Sequence, residues 1–204
     1  MREHDGPKSG LTLTYQEVRE KIRDGDVLCF QGSAGLSRFI MRVSGGKFSH
    51  AGIAFWWGDR LMVLQVELMP GVQALPVSRA VGLYPGRVEW YSLKDEHRQD
   101  HHLEKLRHEA LRALGDGYSV SGLFLVGLHY LFGTPLPRPD KHQHEYVCSE
   151  YVAHCFSKAG LDLDPDKDDN ATTPMDLALS NLLVRQGVLH DPPNPRRARA
   201  LPPR

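Results

Sequence analysis

The chain reads as a single α+β domain, a small antiparallel sheet packed against helices, and three observations lead there. Between residues 50 and 93 lie four short apolar segments separated by tight turns, with no helical pattern inserted between them, the arrangement that antiparallel strands allow and parallel ones do not. From residue 98 onward the apolar residues recur at helical spacing instead. The third observation is size. With 204 residues, 41% hydrophobic and 25% charged, the chain suffices for one well-formed core and is short for two. Strands followed by helices around one core define an α+β domain.

In chain order, residues 1–10 form a polar leader expected to be disordered, and "YQEVREKI" is a short amphipathic helix with Val18 and Ile22 four apart on one face. "RDGD" breaks it and "VLCF" follows as a buried strand. "SAGLSRFIMRV" places Leu36, Phe39, Ile40 and Val43 at helical spacing, with Ser33 as its N-cap. A glycine turn leads into the strand "SHAGIAFWW". The turn at Gly58–Asp59 then leads into "LMVLQVEL", and "GVQALPVS" and "VEWYSL" complete the strands. "HRQDHHLEKLRHEALRALG" is a charged amphipathic helix ending at Gly115, and "SVSGLFLVGLHYLF" is an apolar buried segment. "SEYVAHCFSKAG" is a helix ended by Gly160, and "TPMDLALSNLLVRQG" is a helix opened by Thr-Pro. The domain is thus expected over residues 11–190, and the Pro/Arg-rich stretch 191–204 as a flexible tail.

Composition narrows the function. A formal net charge of zero argues against a dedicated nucleic-acid binder, which carries a basic excess. Cysteines at 29, 148 and 155 do not make a disulfide framework, so a reducing, cytoplasmic compartment with free thiols is expected. The N-terminus lacks the apolar core of a secretory signal. The most apolar run, 121–133, carries His129 and is shorter than the roughly 20 residues that span a bilayer. It reads first as a buried core helix and second as a membrane-contacting surface.

The chemistry centres on Cys148 in "HEYVCSEYVAHCF". On that helix Val152, Cys155 and Ala159 share an apolar stripe, which makes Cys155 a core residue, while Ser149 and Glu150 face elsewhere. Cys148 stands at the first turn, where the helix dipole favours a thiolate and unpaired backbone N–H groups face a developing oxyanion. The competing reading is one more packed thiol. A cysteine nucleophile needs a base, and His50, at the start of an apolar strand on the same face as the small residues Gly52 and Ala54, is the best candidate among eleven histidines. A hydrogen-bonded core histidine is its alternative. Glu67 lies in an apolar strand on the neighbouring arm and is the candidate to fix the imidazole tautomer. Gln65 has the same parity and is its rival; Glu67 is preferred because a carboxylate also stabilises the imidazolium.

These residues stand in blocks that resemble the circularly permuted NlpC-type papain-like hydrolases, in particular the YiiX-like branch. "RDGDVLCF" is similar to the family's Gly-Asp opening strand, "KFSHAGIAF" to its histidine strand, "VELMPGVQALPVS" to its Glu strand and "YVCSEYVAHCFSKAGL" to its Cys-Ser-Glu helix. "ALGDGYSV" and "TTPMDLALS" match weaker flanking signatures, and together the blocks run from about residue 24 to 180. The resemblance implies a permuted papain-like fold in which Cys148 attacks a carbonyl, His50 activates it and protonates the leaving group, and Glu67 orients His50. It also implies that the Cys148 backbone N–H contributes to the oxyanion hole. Tyr146 and Ser49, flanking the nucleophile and base motifs, are the candidate substrate-binding residues.

The expectation is therefore a thiol hydrolase acting on an amide bond of a peptide or cell-wall-type substrate. Acyl-lipid hydrolysis or transfer is the runner-up, and a catalytically silent binding module of the same fold is the rival from another class. No cofactor is expected, nor a metal. His97 and His101 have helical ligand spacing but sit in a charged, solvated segment, and His142 and His144 lack a partnered cysteine pair.

Overall fold

The structure is a computed structural model that describes residues 11–33, 37–38, 41–42, 45–119 and 145–191. The expected helix through Leu36, Phe39, Ile40 and Val43, the apolar run 121–133, His142, His144, the leader and all but the first residue of the tail lie outside the described residues. Ser33, read as an N-cap, donates its hydroxyl to Pro85 O at 2.7 Å.

A seven-stranded sheet organises the chain. Strands β1 (Thr12–Thr14), β2 (Asp26–Gly32), β3 (His50–Trp57), β4 (Arg60–Glu67), β5 (Gly71–Pro76), β6 (Gly86–Leu93) and β9 (Leu183–His190) lie in the order β1-β9-β6-β2-β3-β4-β5. Every pairing is antiparallel except β1 with β9. The sheet is therefore larger than expected, and mixed. Two short strands, β7 (Gly117–Tyr118) and β8 (Glu145–Tyr146), form a separate parallel pair. The helices are α1 (Tyr15–Val18), α2 (Val77–Leu83), α3 (Asp100–Arg112), α4 (Cys148–Lys158) and α5 (Pro174–Leu179).

Apolar clusters cover both sheet faces. One joins Val27, Ile53, Phe55 and Leu64 of the sheet to Leu106 of α3 and Val152 and Phe156 of α4. The other joins Leu28, Phe30, Ala54 and Val63 to Tyr15 of α1 and Val77 of α2. With both faces covered, β3 buries Ala51 through Phe55 without a polar interruption, which is why its sequence reads as a continuous apolar run rather than an alternation. At Gly58 the chain turns with φ +61°, a conformation that glycine adopts without Cβ strain. Helix α4 is buried almost all round, Ser149 included. The side expected to face away from the core stripe is thus also covered.

Two elements differ from the sequence reading. "GVQALPVS" is a strand only as far as Pro76; Val77 begins helix α2, which buries Val77 and Ala80 against the sheet. A helix is thus inserted between β5 and β6. The expected helix over residues 173–187 ends at Leu179. Thr173 caps it, its hydroxyl accepting from Asp176 N at 3.2 Å while Asp176 Oδ2 accepts from Thr173 N at 2.9 Å. The rest, Leu183–His190, is strand β9, paired with β6 from Leu183 opposite Leu93 to Leu189 opposite Val88. Sheet pairing along β9 outweighs the weak helical preference of "LVRQG", a tertiary override of local propensity.

Beneath β2 lies a buried polar hub. Asp26, fully buried, accepts hydrogen bonds from Arg23 N (3.0 Å), Trp90 Nε1 (2.8 Å), Ser92 Oγ (3.2 Å) and Leu93 N (3.1 Å), and pairs with Arg98. Arg98 also donates to Leu93 O at 2.9 Å and Asp24 O at 2.7 Å. Burial pushes the Asp26 carboxyl up and Arg98 with the other donors pulls it back, leaving it raised. The hub joins the turn before β2, the end of β6 and the approach to α3. Replacing Asp26 by Ala strands a buried guanidinium and is expected to lower unfolding stability by about 3–5 kcal/mol, with Asp26→Asn losing less, as read by urea denaturation.

Candidate functional site

The site forms where β3 begins and α4 begins. Cys148 is the first residue of α4, and Val147 before it is extended (φ −88°, ψ 152°). The chain reaches the helix start directly from β8, and Glu150 turns back to accept from Val147 N at 3.2 Å. A carboxylate in the first turn suits the positive end of the helix dipole. The Cys148 side chain is 4% exposed, with its sulfur 3.9 Å from Ser49 O. His50 is the first residue of β3, and its imidazole is near enough to Cys148 for the thiol to act on its charge.

Strand register sets the other side of the imidazole. β3 pairs with β2 so that His50 faces Phe30, their rings 5.0 Å apart. It pairs with β4 so that Gly52 faces Gln65, which brings Gln65 and Glu67 to the same face as His50. Gln65 Oε1 lies 3.1 Å from His50 Nε2, and Glu67 Oε1 lies 3.8 Å from it. Gln65 Nε2 donates to Glu67 Oε1 at 3.0 Å. Gln65 is therefore the direct partner of the imidazole, and Glu67 acts largely through it. Nε2, held by Gln65, donates to a carbonyl oxygen, which leaves Nδ1 for the thiol. The space beside Gly52 is taken by β4, since a Cβ there would meet Val63 Cγ2 at 2.6 Å and Leu64 O at 2.9 Å.

Ser49 and Tyr146 lie differently around this centre. Ser49 is buried, and its hydroxyl is occupied by Gly32 N at 3.2 Å and Phe30 O at 3.4 Å. Its backbone carbonyl is the group that meets Cys148. The Tyr146 ring packs against Tyr151 and His154 of α4, at centroid distances of 5.8 and 5.7 Å. On the α2 side of His50 a groove of about 160 Å³ is lined by Phe30, His50, Gln65, Glu67, Leu75, Arg79, Ala80, Leu83, Tyr84 and Pro85. Tyr84 and Arg79 escaped the sequence reading because neither stands in a recognisable pattern. Burial pushes the Tyr84 phenol up, as do the charges of Glu67 and Cys148, against hydrogen bonds to Ser49 and Ser37, so it remains a donor near neutral pH.

The other thiols behave as core residues. Burial pushes both Cys29 and Cys155 far up. Among the described residues no three His, Cys, Asp or Glu side chains converge as a metal set. His97 lies 3.6 Å from Glu96, and His102 Nδ1 meets Ala159 O at 2.6 Å.

The imidazole itself is tuned. Burial lowers its pKa, but the hydrogen bond and charge of Cys148, the Glu67 charge and the Gln65 hydrogen bond outweigh burial and raise it from 6.5 to about 9. A folded-state value above the unfolded one means that the imidazolium stabilises the fold fully below pH 6.5, and that this contribution is lost as pH rises towards 9. In an NMR titration His50 is expected to hold its proton well above 6.5. In Cys148→Ala, with the two largest raising influences removed, its pKa should fall; an unchanged value would mean that Cys148 does not control it.

No protein-family model matches the chain, and no curated protein matches it by sequence. Among solved structures the fold is similar to the crystal structure of YiiX from Escherichia coli O157:H7, described as a metalloprotein. The TM-score is 0.61 at 13% identity, covering 81% of this chain and 97% of that one. The chain thus has a YiiX-like α+β fold, with a mixed seven-stranded sheet and helices on both faces. Among the described residues, the imidazole, thiol, amide and carboxylate around His50 do not make a metal set of the kind that neighbour's description names.

Proposed function

We propose that this chain is a cysteine hydrolase of the circularly permuted, NlpC-type papain-like kind, cleaving an amide bond of a peptide or cell-wall-type substrate through an acyl-enzyme on Cys148. One observation carries the reading: Cys148, the first residue of a helix, lies beside an imidazole whose Nε2 is held by Gln65. A nucleophile in contact with a base, and a base in contact with an orienting group, is the arrangement that covalent acyl transfer requires. The chain order, histidine strand before cysteine helix, is the one a permuted papain-like fold calls for and supports this reading.

In this mechanism the thiol proton passes to His50, and the thiolate attacks the carbonyl carbon. The carbonyl π electrons move onto oxygen, where the Cys148 N–H in the first turn of α4 stabilises the oxyanion. Collapse of the tetrahedral adduct breaks the C–N bond, and the His50 imidazolium gives its proton to the departing amine. Water then attacks the thioester, losing a proton to His50, and the acid leaves as the Cys148 sulfur departs. His50 alternates between base and acid, and Gln65 keeps its ring aligned throughout while Glu67 orients the Gln65 amide and stabilises the imidazolium by charge.

Three measurements test this. Iodoacetamide at neutral pH should label Cys148 selectively and faster than a free model thiol, and His50→Ala should slow the labelling; labelling at the free-thiol rate would remove the activated nucleophile. In turnover of an amide substrate, Cys148→Ala should abolish activity and His50→Ala should lower kcat on the order of 10²–10⁴-fold. Gln65→Ala should lower kcat more than Glu67→Gln does, because Gln65 makes the direct contact. Equal losses would assign the orienting role to the carboxylate instead.

A further inference from the structure

The groove beside His50 has a chemical character that acyl transfer alone does not explain. Its floor and walls are apolar, built from Phe30 of β2, Leu75 of β5 and Ala80, Leu83 and Tyr84 on or next to α2. Its polar residues are of two kinds. His50, Gln65 and Glu67 are bonded to one another. Arg79 stands apart: it is exposed on α2, lines the groove, and makes no hydrogen bond or ion pair among the described residues. Glu67 is the one carboxylate among the groove residues, and it forms no ion pair with Arg79.

Helical spacing explains the pairing of charge with apolar surface. Arg79 and Leu83 are four apart on α2, so both project over the same side of the helix, while Ala80, one residue on, packs down onto the sheet. A guanidinium presents five donors in a planar fork that matches a carboxylate or a similar planar anion. Next to an apolar surface that partner is held more strongly than in open water, because fewer waters compete for the donors.

We infer that this groove is the recognition site for the substrate's acyl portion, and that it selects an acyl group with an apolar stem bearing a carboxylate, the stem lying along Phe30, Leu75 and Leu83 and the carboxylate held by Arg79. This rests on the hydrolase reading for its use of the word substrate, but the binding claim stands apart from turnover. Arg79 is thus a specificity-determining residue. A neutral acyl group of the same length fills the apolar part and leaves the guanidinium solvated, so it gains only the burial contribution.

The test uses the full-length Cys148→Ala chain, so that ligands bind without reacting, and two probes of equal acyl length: adipic acid monoanilide, which ends in a carboxylate, and hexananilide, which ends in a methyl. By calorimetric or NMR titration the monoanilide should bind about tenfold more tightly, as a charge-assisted hydrogen bond would give. In Cys148→Ala/Arg79→Gln the ratio of the two affinities should fall to near one, and with Arg79→Lys part of the preference should return. Thermal melts of each variant check that the fold is intact. Equal affinities for the two probes, a preference that survives Arg79→Gln, or no binding of either probe at millimolar concentration would overturn the inference. Wild-type chain with the same anilides reads out the hydrolase proposal separately. A preference for the carboxylate without Cys148-dependent release of aniline would sink the hydrolase and keep the groove; release without a preference would do the reverse.

Discussion

The register of β3 between β2 and β4 is the constraint on which the rest of this molecule depends. Side chains on a strand alternate between faces, so a slip of one residue exchanges them all. In the observed register Ala51, Ile53 and Phe55 face the helix that carries Cys148, and His50 faces Phe30 on one neighbour and reaches Gln65 on the other. A slip would take the imidazole off the face it shares with Gln65 and Glu67 and send the apolar triplet towards α2. Burial on both faces makes that slip costly, because neither apolar cluster would survive it. The catalytic geometry proposed here is thus held by hydrophobic packing well away from the reacting atoms.

Three acidic side chains close to the sheet are managed in three ways. Asp26 is sealed in and saturated with donors, so its charge is neutralised inside the fold. Glu89, also buried, is held by Lys47 at 3.0 Å and Arg185 at 2.6 Å, and these partners keep its carboxyl below the ordinary range despite burial. Because Lys47 lies just before Ser49 and His50, the Glu89 pairing ties the segment entering β3 to β6 and β9 and so steadies the approach to the site. Glu67 differs from both. Its side chain is 44% exposed and faces the groove, which leaves it accessible to a ligand as the other two acids are not.

Burial and pairing oppose each other at His50, and pairing prevails. A partly buried imidazole would ordinarily lose its proton more readily, yet the thiol, the Glu67 charge and the Gln65 amide hold it. The same residues that raise its pKa also fix its orientation. Electrostatics and positioning therefore come from one set of contacts, and substitutions at Gln65 are expected to disturb both together.

Much of this was legible in the sequence, and what was not has a local cause. "SHAGI" and "CSEYV" marked the histidine and cysteine because each stands at the start of an element whose apolar pattern follows it directly. The strand hairpins and the helices ended by Gly115 and Gly160 were legible from turn residues and periodicity, and both glycines have positive φ. The choice between Gln65 and Glu67 was not, since both share a strand parity and only interatomic distance separates a direct partner from an indirect one. Strand β9 was hidden because "LALSNLLV" has helical spacing, and only pairing with β6 draws its second half into the sheet. Arg79 and Tyr84 carried no signal at all, for a groove exists only once α2 has folded back over β4 and β5. The sequence by itself determined which chemistry-bearing residues open which elements, because caps, turns and periodicity are local. The tertiary structure alone decided which of them touch and what lies beside them, because contacts between residues a hundred positions apart are set by packing, not by local pattern.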